Sequence, residues 1–297
     1  MRPLRQFPSQ DRSRITGVFT DIDDTLTTEG LVTGEALQAL AALKAAGLHV
    51  VPITGRPIGW SEPFALQWPV DAIVAENGAA ALVRAPLPGA LRKLYQQDAT
   101  VREANHARMQ QVLQRIVAEV PGAVAARDSA GRETDIAIDH SEYVQLPPAC
   151  IAQAVQLMEA EGMNATVSSI HINGWYGDHN KLSGARWIVR ELFGRELDAE
   201  LDRWVYVGDS TNDVLMFEHF PHSVGVANIR RFEDQLAFKP RYAKPTMRGC
   251  SRWCGASSPK SPVPRLRATA RAARPTSRST TANTPIFRRR ASRRPCN

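Results

Sequence analysis

Apolar positions along this chain fall into two rhythms. RITGVFTD, LHVVPIT and VDAIVAENG are short apolar runs, and each predicts a buried strand. The first ends at Asp21, the second at Thr54, and the third closes in an Asn77-Gly78 turn. Between the first two, TGEALQALAALKAAG predicts a helix. Thr33 can cap it, Leu37, Leu40 and Leu43 form its inner face, and Gly47 can end it. Strand, helix, strand, helix, strand predicts a parallel sheet with right-handed crossovers.

From Ala85, APLPGALRKL breaks that rhythm. A long, mostly polar helix is expected from about Ala99 to Val120, with strands around 123–127 and 133–139. A second helix, PACIAQAVQLMEAEG, leads to strands near 165–168 and 171–175. Helix-strand-strand thus occurs twice, which predicts a small antiparallel sheet with helices on one face. The first rhythm then returns. KLSGARWIVRELFG reads as a helix with Leu182, Ala185, Val189 and Leu192 on one side. RWVYVGDS is a strand ending at Asp209, and HSVGVAN is a further strand. The expected fold class is α/β: a doubly wound parallel-sheet core, residues 1–84 and 176–246, interrupted by an α+β insert at 85–175.

Residues 247–297 stand apart. They hold 12 Arg, one Lys and no acid, a charge of +13 against +7 for the whole chain, which leaves the body at −6. Their Arg, Ser, Pro and Thr content predicts disorder, or an end read out of frame. Cys150 is alone in the body, with Cys250, Cys254 and Cys296 in the tail, so no disulfide framework or zinc site is expected. No secretory or membrane-spanning pattern appears, so a cytoplasmic protein without a membrane partner is expected. Oligomeric state is not readable.

The chemistry concentrates at strand ends. DIDDT crowds Asp21, Asp23 and Asp24 after the first strand, and GDSTND follows the later one. In a doubly wound sheet such ends gather at one edge. Asp21, Asp23, Asp209 and Asp213 would carry −4 there, against +1 from Lys181 at a helix start. Such a cluster calls for a hard divalent cation, and oxygen ligands suit Mg²⁺. A carboxylate could then attack phosphorus while a neighbour shuttles protons.

DIDDT, PIT, Lys181 and GDSTND, in this order, resemble the four signature motifs of the haloacid dehalogenase superfamily. The insert resembles the type IIB cap of its sugar-phosphate phosphatases and phosphomannomutases. The resemblance covers about 14–245. It implies a phosphatase acting on a small phosphorylated substrate, a sugar phosphate by the subgroup, through an aspartyl-phosphate on Asp21. Asp23 would be the acid and base, Thr54 would bind the phosphoryl group, and Lys181 would neutralise charge. Mg²⁺ would be held by Asp21, the Asp23 carbonyl and Asp209, supported by Asp213 and Asn212. Arg56, Asn77, Gly78 and Asn212 are candidate substrate contacts. Asp24 is expected to cap a turn and Thr25 to brace the loop. His171 and His179 are expected in a structural linker rather than as a metal pair.

Three other readings stand beside this one. A phosphomutase would use the same chemistry. A receiver-like signalling module also gathers acids, Thr and Lys around Mg²⁺, but its reactive Asp follows the third strand. The basic tail could bind nucleic acid, but it lacks interleaved aromatics and any recognisable module.

Overall fold

The computed structural model describes residues 1–243. The expectations for the tail and its cysteines, and for 244–246, lie outside the described residues. In chain order the elements are β1 (Arg2–Pro3), α1 (Ser9–Arg12), β2 (Gly17–Thr20), β3 (Thr27–Thr28), β4 (Leu31–Val32), α2 (Gly34–Ala45), β5 (His49–Pro52), α3 (Ile58–Gln67), β6 (Ala72–Ala75), β7 (Ala80–Arg84) and β8 (Leu91–Tyr95). There follow α4 (Ala99–Glu119), β9 (Val124–Ala125), β10 (Ile136–Asp139), α5 (Pro148–Ala160), β11 (Asn164–Val167), β12 (His171–Trp175), α6 (Lys181–Phe193), β13 (Trp204–Gly208), α7 (Val214–His219), β14 (His222–Gly225) and β15 (Tyr242–Ala243).

The main sheet has six strands in the order β1-β15-β14-β13-β2-β5, and every pairing in it is parallel. Both its faces are covered, so alternate residues enter different cores. Val18, Val50 and Val205 meet Leu40, Leu43 and Ile58 from α2 and α3. Phe19, Val51 and Tyr206 meet Ala185, Ile188 and Phe217 from α6 and α7. Thr33 caps α2 as expected, accepting from Ala36 N at 3.1 Å.

The third expected strand needs correction. β6 touches the parallel sheet through one bridge, Ile53 to Val74. Its ladder runs antiparallel to β7, which pairs with β8 in turn. The sequence reading missed β8, because LRKLY lies at the edge of this sheet, is partly exposed and carries charges. The hairpin turn between β7 and β8 spans position 85.

The second layer is an antiparallel sheet, β11-β12-β10-β9. Ile136, Ile138 and Ile172 pack with Met109, Val112 and Ile116 of α4 and with Met158 of α5. Ala137 pairs with Asn173, and Asp139 with His171, so their side chains take the opposite face. That polar face is turned toward the main sheet. Asn173 Nδ2 donates to Gly55 O at 3.4 Å, and Arg132 donates to the same carbonyl at 3.0 Å.

Candidate active site

Strands β13, β2 and β5 are neighbours, so their carboxyl ends lie side by side. Asp209, Asp21 and Thr54 follow these ends, and all three are buried. The Asp21 amide continues the ladder by donating to Val207 O at 2.8 Å. Lys181 opens α6, whose Asn180 cap accepts from Ser183 N while Ser183 donates back.

A close backbone contact fixes that helix start. Gly78 has φ +107, and a Cβ there would stand 2.2 Å from Asn180 O. A Cβ on Gly184 would stand 2.6 Å from Gly78 Cα. Gly78 is thus a close-packing position that seats the α6 N-terminus. Its carbonyl accepts from Gln96 Nε2 at 2.7 Å.

Lys181 Nζ reaches Asp21 Oδ1 at 3.0 Å and Asp213 Oδ1 at 2.7 Å. Both Asp213 oxygens are taken. Oδ1 accepts from Lys181 and Tyr206 OH, and Oδ2 accepts from the amides of Asp209 at 2.9 Å and Ser210 at 3.2 Å. Asp213 thus orients Lys181 and the 208–213 loop. Asp209 is freer. Its Oδ1 accepts from Thr25 Oγ1 at 3.2 Å, and its Oδ2 from Asn228 Nδ2 at 2.8 Å. Thr25 braces the loop as expected. Asn228 also donates to Asp24 O at 3.0 Å, with Asp24 at φ +54.

Asp21, Asp209 and Asp213 present carboxylate oxygens within 4.8 Å of one another, the one metal-capable group of this kind among the described residues. Burial pushes Asp21 up to about 7. Lys181 opposes this, while Asp213 and Asp23 add to it. Burial also raises Asp209 well above the carboxylate range, reinforced by Asp21 and Asp213. Lys181 is buried, which disfavours its charge, yet Asp21 and Asp213 keep it firmly protonated. Several acids thus share one cation in a buried site. A further positive charge would return them to their ionised forms, and all-oxygen donors fit a hard divalent ion.

Asp23 stands on the open side. Arg56 Nε lies 3.0 Å from both its oxygens, and Arg56 also donates to Asp128 at 3.2 Å and Glu142 at 2.8 Å. Asp128 and Glu142 belong to the second layer, so Arg56 joins the two layers as well as bounding the cleft over Asp21. Thr54 Oγ1 accepts the Arg56 amide at 2.9 Å. His171 Nε2 lies 2.8 Å from Glu142 Oε2, and neither His171 nor His179 joins the metal-capable group. The cleft over Asp21 and Asp23, bounded by Arg56, His171, Asn173 and Asn212, has room for about one water molecule.

Sequence reasoning missed Glu76. It is fully buried, with φ +48. Its carboxylate accepts from Ile58 N at 2.9 Å, Glu133 N at 3.1 Å, and both the amide and hydroxyl of Thr134. It is a second tie between the layers. A lone acid beside Asn-Gly signals only a turn, so nothing in the local sequence marks it. Asn77 follows at φ +55, and its Nδ2 is buried without a partner. Asn212 accepts from Ser210 Oγ at 2.8 Å.

Residues 18–103 match the family model of the haloacid dehalogenase-like hydrolases. A search of curated proteins finds no match. Among solved structures, protein 0175 of Thermoplasma acidophilum superposes with a TM-score of 0.57 at 18% identity, over 77% of this chain and 92% of that one. The haloacid dehalogenase subclass IIB sugar phosphatase BT4131 gives 0.55 at 17% identity, over 80% and 97%. The sucrose-phosphatase of Synechocystis sp. PCC6803, solved with sucrose and phosphate, gives 0.52 at 18% identity, over 77% and 91%. These likenesses are of fold.

Proposed function

We propose that this chain, whose residues 18–103 match the haloacid dehalogenase-like hydrolase model and whose fold resembles solved subclass IIB structures, is a haloacid dehalogenase-like hydrolase acting as a Mg²⁺-dependent phosphatase of sugar phosphates. The observation that carries the reading is Asp21. It follows strand β2, 3.0 Å from a buried lysine and within one oxygen cluster with Asp209. The solved sugar phosphatases of like fold support the substrate class.

In this reading an Asp21 oxygen forms a bond to phosphorus while the ester oxygen departs, and Asp23 delivers a proton to that oxygen. Water then attacks phosphorus and gives its proton to Asp23. Phosphate leaves and Asp21 is restored. Lys181, fixed by Asp213, offsets charge on Asp21 and the transferring group. In the same reading the Thr54 hydroxyl, which accepts the Arg56 amide, would donate to that group. Asp21, Asp209 and the Asp23 carbonyl would hold Mg²⁺, which when bound supplies positive charge to the phosphoryl oxygens.

The second layer acts as a cap. With Arg56 on Asp23 and room for about one water over Asp21, an ester enters only when the cap lifts. Lifting breaks the Arg56 contacts to Asp128 and Glu142, while Arg56 and Asp23 stay together on the core. The test is hydrolysis of p-nitrophenyl phosphate with and without Mg²⁺, beside Asp21→Asn. Metal-dependent turnover lost in the variant supports the reading. Turnover that survives the substitution refutes it.

A further inference from the structure

The second layer holds a buried arginine, Arg132, against two carboxylates. Its Nη1 donates to Asp135 Oδ1 at 2.7 Å, and its Nε and Nη2 donate to Asp128 Oδ1 at 3.2 Å. A buried ion pair is weak evidence for stability, so what else the guanidinium reaches matters more. Nη1 also donates across to the main-sheet layer, to Gly55 O at 3.0 Å. Gly55 lies between Thr54 and Arg56, in the loop that carries the proposed phosphoryl-binding hydroxyl.

Other backbone groups of that loop are held from within the main-sheet layer. Thr54 N donates to Val74 O at 2.9 Å, Asn77 N donates to Thr54 O at 3.0 Å, and Glu76 N donates to Arg56 O at 3.0 Å. Gly55 O differs. Its donors, Arg132 and Asn173 Nδ2 at 3.4 Å, both belong to the second layer. Gly55 has no side chain to hold them off; a Cβ there would stand 3.2 Å from Asn77 Oδ1 and 3.4 Å from Asn173 Oδ1. The Gly55 carbonyl and the Arg56 N–H belong to one planar peptide unit, so fixing one fixes the other. That N–H donates to Thr54 Oγ1 at 2.9 Å. A threonine hydroxyl has one proton to give. With Oγ1 accepting from Arg56, the orientation of this peptide sets which directions remain for the proton.

We infer that Arg132 is a positioning residue acting through the Gly55–Arg56 peptide on Thr54, so that this hydroxyl is set for the phosphoryl group only while the second layer is docked. The inference rests on the phosphatase reading and adds to it a link between docking and chemistry. Asp128 and Asp135 hold the guanidinium in place. Arg132 is not among the residues that line the cleft over Asp21, so it acts on Thr54 without touching substrate.

Two measurements on the full chain test it. Arg132→Lys keeps the charge that Asp128 and Asp135 need, but one ammonium cannot span them and Gly55 O as the planar fork does. With p-nitrophenyl phosphate and Mg²⁺, Arg132→Lys should lower kcat about ten-fold, the worth of one hydrogen bond. In a Thr54→Ala background the same substitution should change kcat less than about two-fold, because the group it acts on is gone. NMR-detected exchange of the Arg56 amide reads the peptide without turnover. It should quicken about ten-fold in Arg132→Lys while the amides of β5 hold their rates. Asp135→Asn loosens the same guanidinium at one carboxylate. It should move both readouts in the same direction, and it decides the matter where Arg132→Lys does not fold. No turnover by the wild type, with exchange quickened in the variants, would sink the phosphatase reading and keep the link from Arg132 to the loop. An equal loss of kcat with and without the Thr54 hydroxyl overturns the inference, since it marks a residue that only supports the fold. So does an Arg56 amide indifferent to both variants, even if phosphatase activity is robust.

Discussion

Replacing Asp213 by Asn changes one oxygen to an amide nitrogen and little else in shape. Each original oxygen accepts from two buried donors, so the new NH₂ must face donors whichever way it turns. Turned toward the loop, it leaves the amides of Asp209 and Ser210 unpaired, at about 1–3 kcal/mol each. Turned toward Lys181, it keeps both loop bonds but removes a 2.7 Å ion-pair partner from a buried ammonium. Breaking a buried pair costs about 3–5 kcal/mol. Asp21 remains 3.0 Å from Lys181 and takes up part of the load, so the lower end, about 3 kcal/mol, is expected. For a domain of this size that is a fall in Tm of about 6–12 °C. Urea unfolding followed by tryptophan fluorescence reads it directly. Activity should fall at least about a hundred-fold, because Lys181 and the Asp209 loop lose their common anchor. A stability loss under about 1 kcal/mol with near-normal turnover would refute the reasoning that Asp213 is the hub of the site.

Further outcomes follow from the same geometry. Asn228→Ala removes the amide that orients Asp209 Oδ2; the Mg²⁺ concentration for half-maximal activity should rise about ten-fold or more, and an unchanged titration would remove Asn228 from the account. Gly78→Ala puts a Cβ 2.2 Å from Asn180 O at φ +107; unfolding in urea should show a loss of about 3 kcal/mol or more, and a neutral result would contradict the close packing of this loop on α6. Glu142 is held down at about 2: burial opposes its charge, but His171 and Arg56 outweigh it. A carboxylate depressed in the folded state stabilises fully above its ordinary value of 4.5, and that contribution is lost as pH falls from there toward 2. Wild-type stability should therefore fall more steeply than that of Glu142→Gln across that window; parallel curves would refute the pairing.

What was legible in the sequence was whatever sits at the end of a regular element. Asp21, Thr54 and Asp209 close apolar runs, and Lys181 opens an amphipathic helix. Once a parallel sheet is inferred, topology alone puts them at one edge. The repeated helix-strand-strand pattern of the second layer was legible for the same reason. What stayed hidden depends on contacts distant in sequence. The ties of Arg56 to Asp128 and Glu142 join positions 72 and 86 residues apart. Glu76 reads as a turn residue, although its carboxylate accepts amides 57 and 58 positions away. Asn228, 204 positions from Asp24, gives no local signal. β8 was missed because an edge strand can be charged and lack β-branched residues. The packing of Gly78 under α6 gave no signal, because a left-handed glycine in a pocket-side loop and one under a helix look alike in sequence.

The central claim is that Asp21 becomes covalently phosphorylated. The most direct measurement is acid quench of the full chain during turnover of a sugar phosphate with Mg²⁺, then borohydride reduction and peptide mass spectrometry. An acyl phosphate is reduced to homoserine where the carboxylate stood. The account expects that product in the peptide spanning Asp21, at position 21 alone, and its absence without Mg²⁺ or substrate. Reduction at Asp23, or none at Asp21 while phosphate is being released, would contradict it.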